Sequence, residues 1–192
     1  GLANAVGMAI ARTHMALRFN RPGYPLFDHA IYVMVSETEL QEGLSHEAAS
    51  LAGHLGLEAL ICLCNASSVT RDGPIEAVLT EDTAGRFAAY GWDVQMLDGH
   101  DFDAIDAALR NARQARGKPQ LLICQTHLAY GSPNKQDSPL ADGQPLGAEE
   151  VRVTRLNLGW SNEAAFEIPE EIVAHYHVAT SQGEQREARW RE

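Results

Sequence analysis

The chain has 192 residues, 45% of them hydrophobic and 21% charged, with a formal net charge of -11. That length suits one domain with its own buried core, and the mixed composition excludes a disordered chain. The acidic balance argues against nucleic acid or an anionic membrane as partner, and no apolar run approaches the ~18 residues of a membrane span.

The opening GLANAVGMAIARTHMALRFN is alanine-rich and spaces Leu2, Val6, Ala9, Ile10, Met15 and Leu17 as a helix would. RPGYP then stops it. His29 to Val35 is a short apolar run, expected to be a strand covered on both faces. Ser45 to Gly56 reads as a second helix with Ser45 as its N-cap. Leu60 to Cys64 is the next buried strand, and the polar NASSVTRDGP after it is a loop. Glu81 to Tyr90 is a helix with Thr80 as cap; WDVQML is a strand; Asp103 to Ala115 is a helix; PQLLICQTH is a fourth strand. A turn-rich loop from Ala129 to Gly147 follows, then a helix from Ala148 to Leu158 and a polar segment from Ser161. Strand and helix alternate, which predicts an α/β three-layer sandwich with a mainly parallel sheet of four or five strands. In such a sheet ligands bind beyond the carboxyl ends of the strands. The loops to inspect are therefore Ser36 to Gly43, Asn65 to Gly73, Leu97 to Asp101 and Thr126 to Gly147.

At those loops the chain resembles the thiamine-diphosphate-binding half of transketolase, from Gly1 to about Glu192. The motifs that carry the resemblance are GLANAVGMAIA, RFNRPG, EGLSHEAASLAG, EDTAGRFAAYGWDV, DGHD, GSPNK, PLG, LGW and FEIP. The resemblance implies a partial transketolase-like fold, with residues 1–160 as the cofactor domain and 161–192 as its extension. It also implies thiamine diphosphate anchored through Mg²⁺, which prefers hard oxygen ligands, and transfer of a two-carbon ketol unit between sugar phosphates. In the family a glycine-aspartate-glycine turn and a following asparagine loop meet the metal and diphosphate. Ungapped alignment puts Ser36, Glu37 and Thr38 at that turn and Ser67 at the asparagine, with Val69 offering the backbone carbonyl. Glu37, Ser67 and Val69 thus stand at the metal positions, and Gly1, Ser36 and Thr38 at further cofactor positions. Glu39 adds a negative charge beside a diphosphate.

Pro139 and Asp142 stand where the family places histidines, and neither can act as a near-neutral acid or base. Further family elements, including upstream histidines and the pyrimidine-binding domain with its glutamate, have no counterpart between Gly1 and Glu192. The reading is therefore a transketolase-like domain with an altered cofactor site, working as a homodimer or with a partner chain that carries the pyrimidine-binding domain. The alternative is a non-catalytic scaffold.

Several residues have a plainer reading beside the functional one. Glu42 and His46 match family positions near a dimer interface, and His46 also reads as a helix-packed histidine. His100, the sole catalytic candidate, lies in a DGHD turn that satisfies loop geometry by itself. Cys62, Cys64, Cys124 and His127 could suggest zinc, but their spacing matches no zinc ribbon. Three scattered cysteines and no leader make a reducing cytoplasm the expected compartment. Arg110, Arg113, Arg116 and Lys118 form a solvated helix face, and His175-Tyr176-His177 lies in a segment expected to have little order.

Overall fold

A computed structural model describes residues 1–114, 117–160 and 166–192. Four parallel strands form the sheet: β1 (Ile31–Ser36), β2 (Leu60–Ala66), β5 (Asp93–Asp98) and β6 (Gln120–Gln125), in the order β1-β2-β6-β5. β1 pairs with β2 from Ile31 opposite Leu60 to Ser36 opposite Asn65, so both strands end at one level. Between β2 and β5 the predicted plain loop folds into a two-stranded hairpin, β3 (Val69–Thr70) and β4 (Gly73–Pro74).

The helices lie on both faces of the sheet, as the alternating pattern requires. On one face α1 (Leu2–Phe19), α2 (Gly43–His54) and α3 (Thr83–Ala89) pack Leu2, Val6, Ala49, Ala52 and Phe87 against Val35, Leu60, Cys62, Cys64 and Leu121. On the other, α4 (Phe102–Gln114) sets Ala108 and Ala112 against Ile61 and Leu122. α5 (Ala148–Asn157) and α6 (Glu170–Arg191) follow.

α1 departs from expectation at Ile10 and Leu17, which are exposed: Ile10 stands off the face that buries Leu2, Ala5, Val6 and Ala9, and Leu17 lies beyond those buried turns. Asn20 ends it, accepting from the Phe27 N–H at 2.8 Å and donating to the Phe27 carbonyl at 3.1 Å. β1 is covered on one face only. Val35 is buried, but Tyr32 and Met34 point the other way and are 49% and 76% exposed, beyond the reach of α4.

Two predicted caps move. Glu42, not Ser45, precedes α2; Ser45 sits inside its first turn and donates from Oγ to the Glu39 carbonyl at 2.6 Å. Asp82, not Thr80, caps α3 by accepting from the Gly85 N–H at 2.9 Å. The C-terminal segment, expected to have little order, contains the 22-residue helix α6, none of it buried. The expected ends at Ala115 and Ser161, and Arg116 of the basic group, lie outside the described residues.

One close approach locks α2 to the start of β5. Gly53 has no side chain, and a Cβ there would sit 1.8 Å from the Tyr90 carbonyl oxygen. The contact lets Trp92 enter the core beneath α2, where its Nε1–H donates to the Ala49 carbonyl at 2.9 Å and its ring meets Phe87 edge-on. The run of small residues in AASLAG is what permits this packing.

Candidate functional site

The carboxyl ends of β1, β2, β5 and β6 rim a cleft of about 470 Å³, with Met96 and Ile123 as its apolar floor. Glu37, Ser68, Asp98, His100, Gln125 and His127 supply its polar wall. A larger depression of about 570 Å³ lies away from the strand ends, on the outer side of α2 around His46 and Tyr90. It is open surface. His46 there is held structurally: its Nδ1 accepts at 3.2 Å from Arg86 Nη1, with the Tyr90 hydroxyl also 3.2 Å away.

The SETE turn closes on itself. Glu39 folds back so that its Oε2 accepts from the Ser36 N–H at 2.7 Å and from Ser36 Oγ at 3.2 Å. Ser36 Oγ also lies 2.9 Å from Thr38 Oγ1. Thr38 has φ -67 and ψ -35, an ordinary right-handed conformation, so the β-branched residue carries no backbone strain here. Gly1 caps α1 directly above, and a Cβ on it would lie 3.9 Å from Glu39 Oε1. α1 has no acidic residue in its first turn, so the Glu39 carboxylate is the negative group its amino end meets.

Of the three predicted metal positions, Ser67 and Val69 meet directly, and Glu37 reaches the backbone of Ser68 between them. Glu37 lines the cleft and accepts a hydrogen bond from the backbone N–H of Ser68. Ser67 Oγ donates to the Val69 carbonyl at 3.3 Å. Burial raises the Glu37 carboxyl above its ordinary value, the Ser68 N–H opposes the rise, and nearby Glu76 adds to it. The donor chemistry suits a hard cation, but the turn beside it offers an anion its own carboxylate rather than free N–H groups.

His100 sits as the DGHD turn requires. Its N–H donates to Asp98 Oδ1 at 2.8 Å, while Asp101 Oδ1 accepts from Asp103 and Ala104 at the start of α4. Gly99 is necessary there, since a Cβ would come within 2.5 Å of Thr126 Cγ2 and 2.9 Å of the Gln125 carbonyl oxygen. His100 nevertheless also reaches the cleft: its Nε2 accepts from the His127 N–H at 3.0 Å.

The zinc reading fails geometrically. Cys62 and Cys64 face the α1–α2 side while Cys124 packs with the α4 side, and no group of three possible ligands gathers among the described residues. Burial, followed by the charge of Glu37, pushes the Cys64 thiol up to about 12; burial raises Cys62 as well. These are inert core thiols.

Two features escaped the sequence reading. Glu150, in the first turn of α5, holds the GSPNK loop by accepting from Ser132 Oγ and from both the N–H and Nδ2 of Asn134, at 2.9 Å each for the asparagine. These bonds, the serine's first, keep its carboxyl below the ordinary range. Lys135 in the same loop donates to the Leu146 carbonyl at 2.9 Å. The second is the pair His127 and Asp137, at 2.7 Å. Only a three-dimensional view joins residues ten apart across a loop, so no local pattern announced it.

A parallel sheet layered with helices on both faces, with polar side chains gathered at its carboxyl edge, defines a ligand-binding α/β domain. Comparison with known proteins gives the family. Residues 1–192 match the family described as transketolase, thiamine diphosphate binding domain. The plasmid transketolase of Cupriavidus necator is 47% identical over 191 residues, which are 99% of this chain and 28% of that protein. Transketolase 1 of Escherichia coli is 46% identical, covering 100% of this chain and 29% of its own length. Transketolase from Leishmania mexicana superposes with a TM-score of 0.91 at 34% identity, over 97% of this chain and 28% of that one. The chain belongs to the transketolase family, in its thiamine-diphosphate-binding domain. It spans under a third of the length of these relatives.

Proposed function

We propose that this chain is a transketolase-type domain, related to enzymes that transfer a two-carbon ketol unit between sugar phosphates, whose diphosphate subsite is filled by its own side chain. The observation that carries the reading is Glu39. Its carboxylate takes the Ser36 N–H and lies beside Gly1 at the amino end of an 18-residue helix, where an anion would otherwise be favoured. A phosphate entering there must displace a like charge. Lys135, the cation of the GSPNK loop, is engaged with a backbone carbonyl.

In this reading Glu37, Ser67 and the Val69 carbonyl are the groups that would hold Mg²⁺, and Gly1, Ser36 and Thr38 border the diphosphate. Thiamine diphosphate, when bound, supplies the carbanion chemistry; these residues only position it. Residues 1–160 act as the domain proper and 161–192 as its extension. A second copy, or a chain with the pyrimidine-binding domain, completes the unit. The chain works in the cytoplasm, without nucleic acid or a membrane; among the described residues no helix is long and apolar enough to cross one.

The second reading, a non-catalytic scaffold, is favoured by the uncovered Tyr32 and Met34 on an edge strand. Calorimetric titration of the full chain with thiamine diphosphate and Mg²⁺ tests the proposal. The expected result is binding weaker than about 1 mM, equivalent to about -4 kcal/mol. Micromolar binding abolished by a chelator would overturn it.

A further inference from the structure

We propose that His127 and Asp137 form an oriented proton-accepting pair that binds a small, uncharged polyhydroxy molecule in the cleft at the carboxyl ends of β2, β5 and β6. Asp137 uses both carboxylate oxygens. Oδ2 lies 2.7 Å from His127 Nδ1, and Oδ1 accepts from the Leu128 N–H at 3.1 Å. A carboxylate can only accept, so Nδ1 is the donor of this pair, and in the neutral ring Nε2 is left as the acceptor atom. Among the described residues Nε2 makes no hydrogen bond.

The other side of the ring is held as well. The His127 N–H donates to His100 Nε2 at 3.0 Å, and the two imidazoles stack at 5.7 Å with 13° between their planes. Tyr130 stacks on His100 at 3.9 Å. One carboxylate and a stack of rings thus fix the orientation of a single acceptor atom. Loop closure alone does not require the imidazole, because Asp137 already joins Leu128 through two backbone groups, including its own N–H to the Leu128 carbonyl at 2.9 Å.

The cleft sets the ligand class. Its volume falls within the ~300–1,000 Å³ of small-molecule sites. Beside His127 it offers Glu37, Asp98 and Gln125, with no lysine or arginine among its described lining residues. Without a bound cation, such walls accept from hydroxyl groups and repel phosphates. The inference does not depend on the fold-back of Glu39, which takes no part in it; it shares with that reading only Glu37, a wall of the same cleft.

The test is a nitrogen-15 NMR titration of the His127 imidazole in the full chain, with ribose, ribose 5-phosphate and inorganic pyrophosphate as probes. Ribose should move the Nε2 resonance and leave Nδ1 protonated, with half-saturation in the millimolar range. Ribose 5-phosphate should need about tenfold more, and pyrophosphate should leave Nε2 unmoved. Asp137 has φ 56, which glycine adopts freely, so Asp137→Gly keeps the backbone while removing the carboxylate. That variant should weaken the ribose response at least about fivefold with an unchanged thermal midpoint. His127→Phe, which keeps a ring in the stack, should abolish ribose binding measured by calorimetry. No Nε2 response to ribose up to about 100 mM would overturn the proposal. So would equal or tighter binding of ribose 5-phosphate, or an Asp137→Gly variant that responds as the parent does. The thiamine diphosphate titration reads the other proposal separately.

Discussion

Replacing Gly53 with alanine tests the packing that fixes the frame of the site. The new Cβ would lie 1.8 Å from the Tyr90 carbonyl oxygen and 2.8 Å from its carbon. Reaching the 3.4 Å of ordinary contact therefore moves backbone by roughly 1.6 Å, a displacement no rotamer change can absorb. Overpacking of this kind costs about 1–3 kcal/mol. Displacing Trp92 also strains its bond to the Ala49 carbonyl, worth about 1 kcal/mol net. Alanine recovers about 1 kcal/mol through helix propensity. The balance is a destabilisation of about 1–3 kcal/mol. Urea unfolding followed by far-ultraviolet circular dichroism measures it. Gly7→Ala is the control: it lies in α1 with nothing within 4 Å of a built Cβ, and it should be neutral or stabilising. A Gly53→Ala chain as stable as its parent would refute the packing argument.

Three further outcomes follow from the burial and capping described above. Because burial raises the Glu37 carboxyl in the folded chain, its stabilising contribution is present below its unfolded value and is lost as pH rises through the folded value. Glu37→Gln should therefore flatten the decline in stability above the usual carboxylate range, read by urea midpoints across pH; identical curves would contradict the assignment. Asp82→Ala should cost about 1 kcal/mol by removing the cap of α3, whereas Thr80→Ala should change the urea midpoint little. Cys62 and Cys64 should resist thiol reagents at neutral pH until the chain unfolds, and prompt labelling by mass spectrometry would show that the core opens.

The alternation of apolar runs with amphipathic ones was enough to read four strands, their parallel pairing and the helices between them. β2 illustrates why: a continuous LICLC run buried on both faces has no other comfortable home. β1 has a similar run but lies at the edge, and nothing in YVMV distinguishes a covered face from an open one. Caps were less legible: Thr80 and Asp82 are both good cap residues and only the folded turn decides which is used, while Ser45 is drawn inside α2 by its bond to the Glu39 carbonyl. Of the candidate site, the positions of Glu37, Ser67 and Val69 came from the family resemblance and not from any local pattern. The fold-back of Glu39 was not, since a side chain in a tight turn chooses among rotamers only once Gly1 and Ser36 are in place. His127 and Asp137 were hidden for the same reason, their meeting being set by the loop between them.

The central claim is that the Glu39 carboxylate stands in the place of an anion. Its most direct test is calorimetric titration of inorganic pyrophosphate, at low salt with Mg²⁺, into the parent chain and Glu39→Ala. Removing one like charge about 4 Å away in a solvated site is worth about 1 kcal/mol per phosphate charge. Freeing the Ser36 N–H adds a donor. The account predicts that Glu39→Ala binds pyrophosphate about tenfold more tightly than the parent. Equal affinity in two chains with the same thermal midpoint would contradict it.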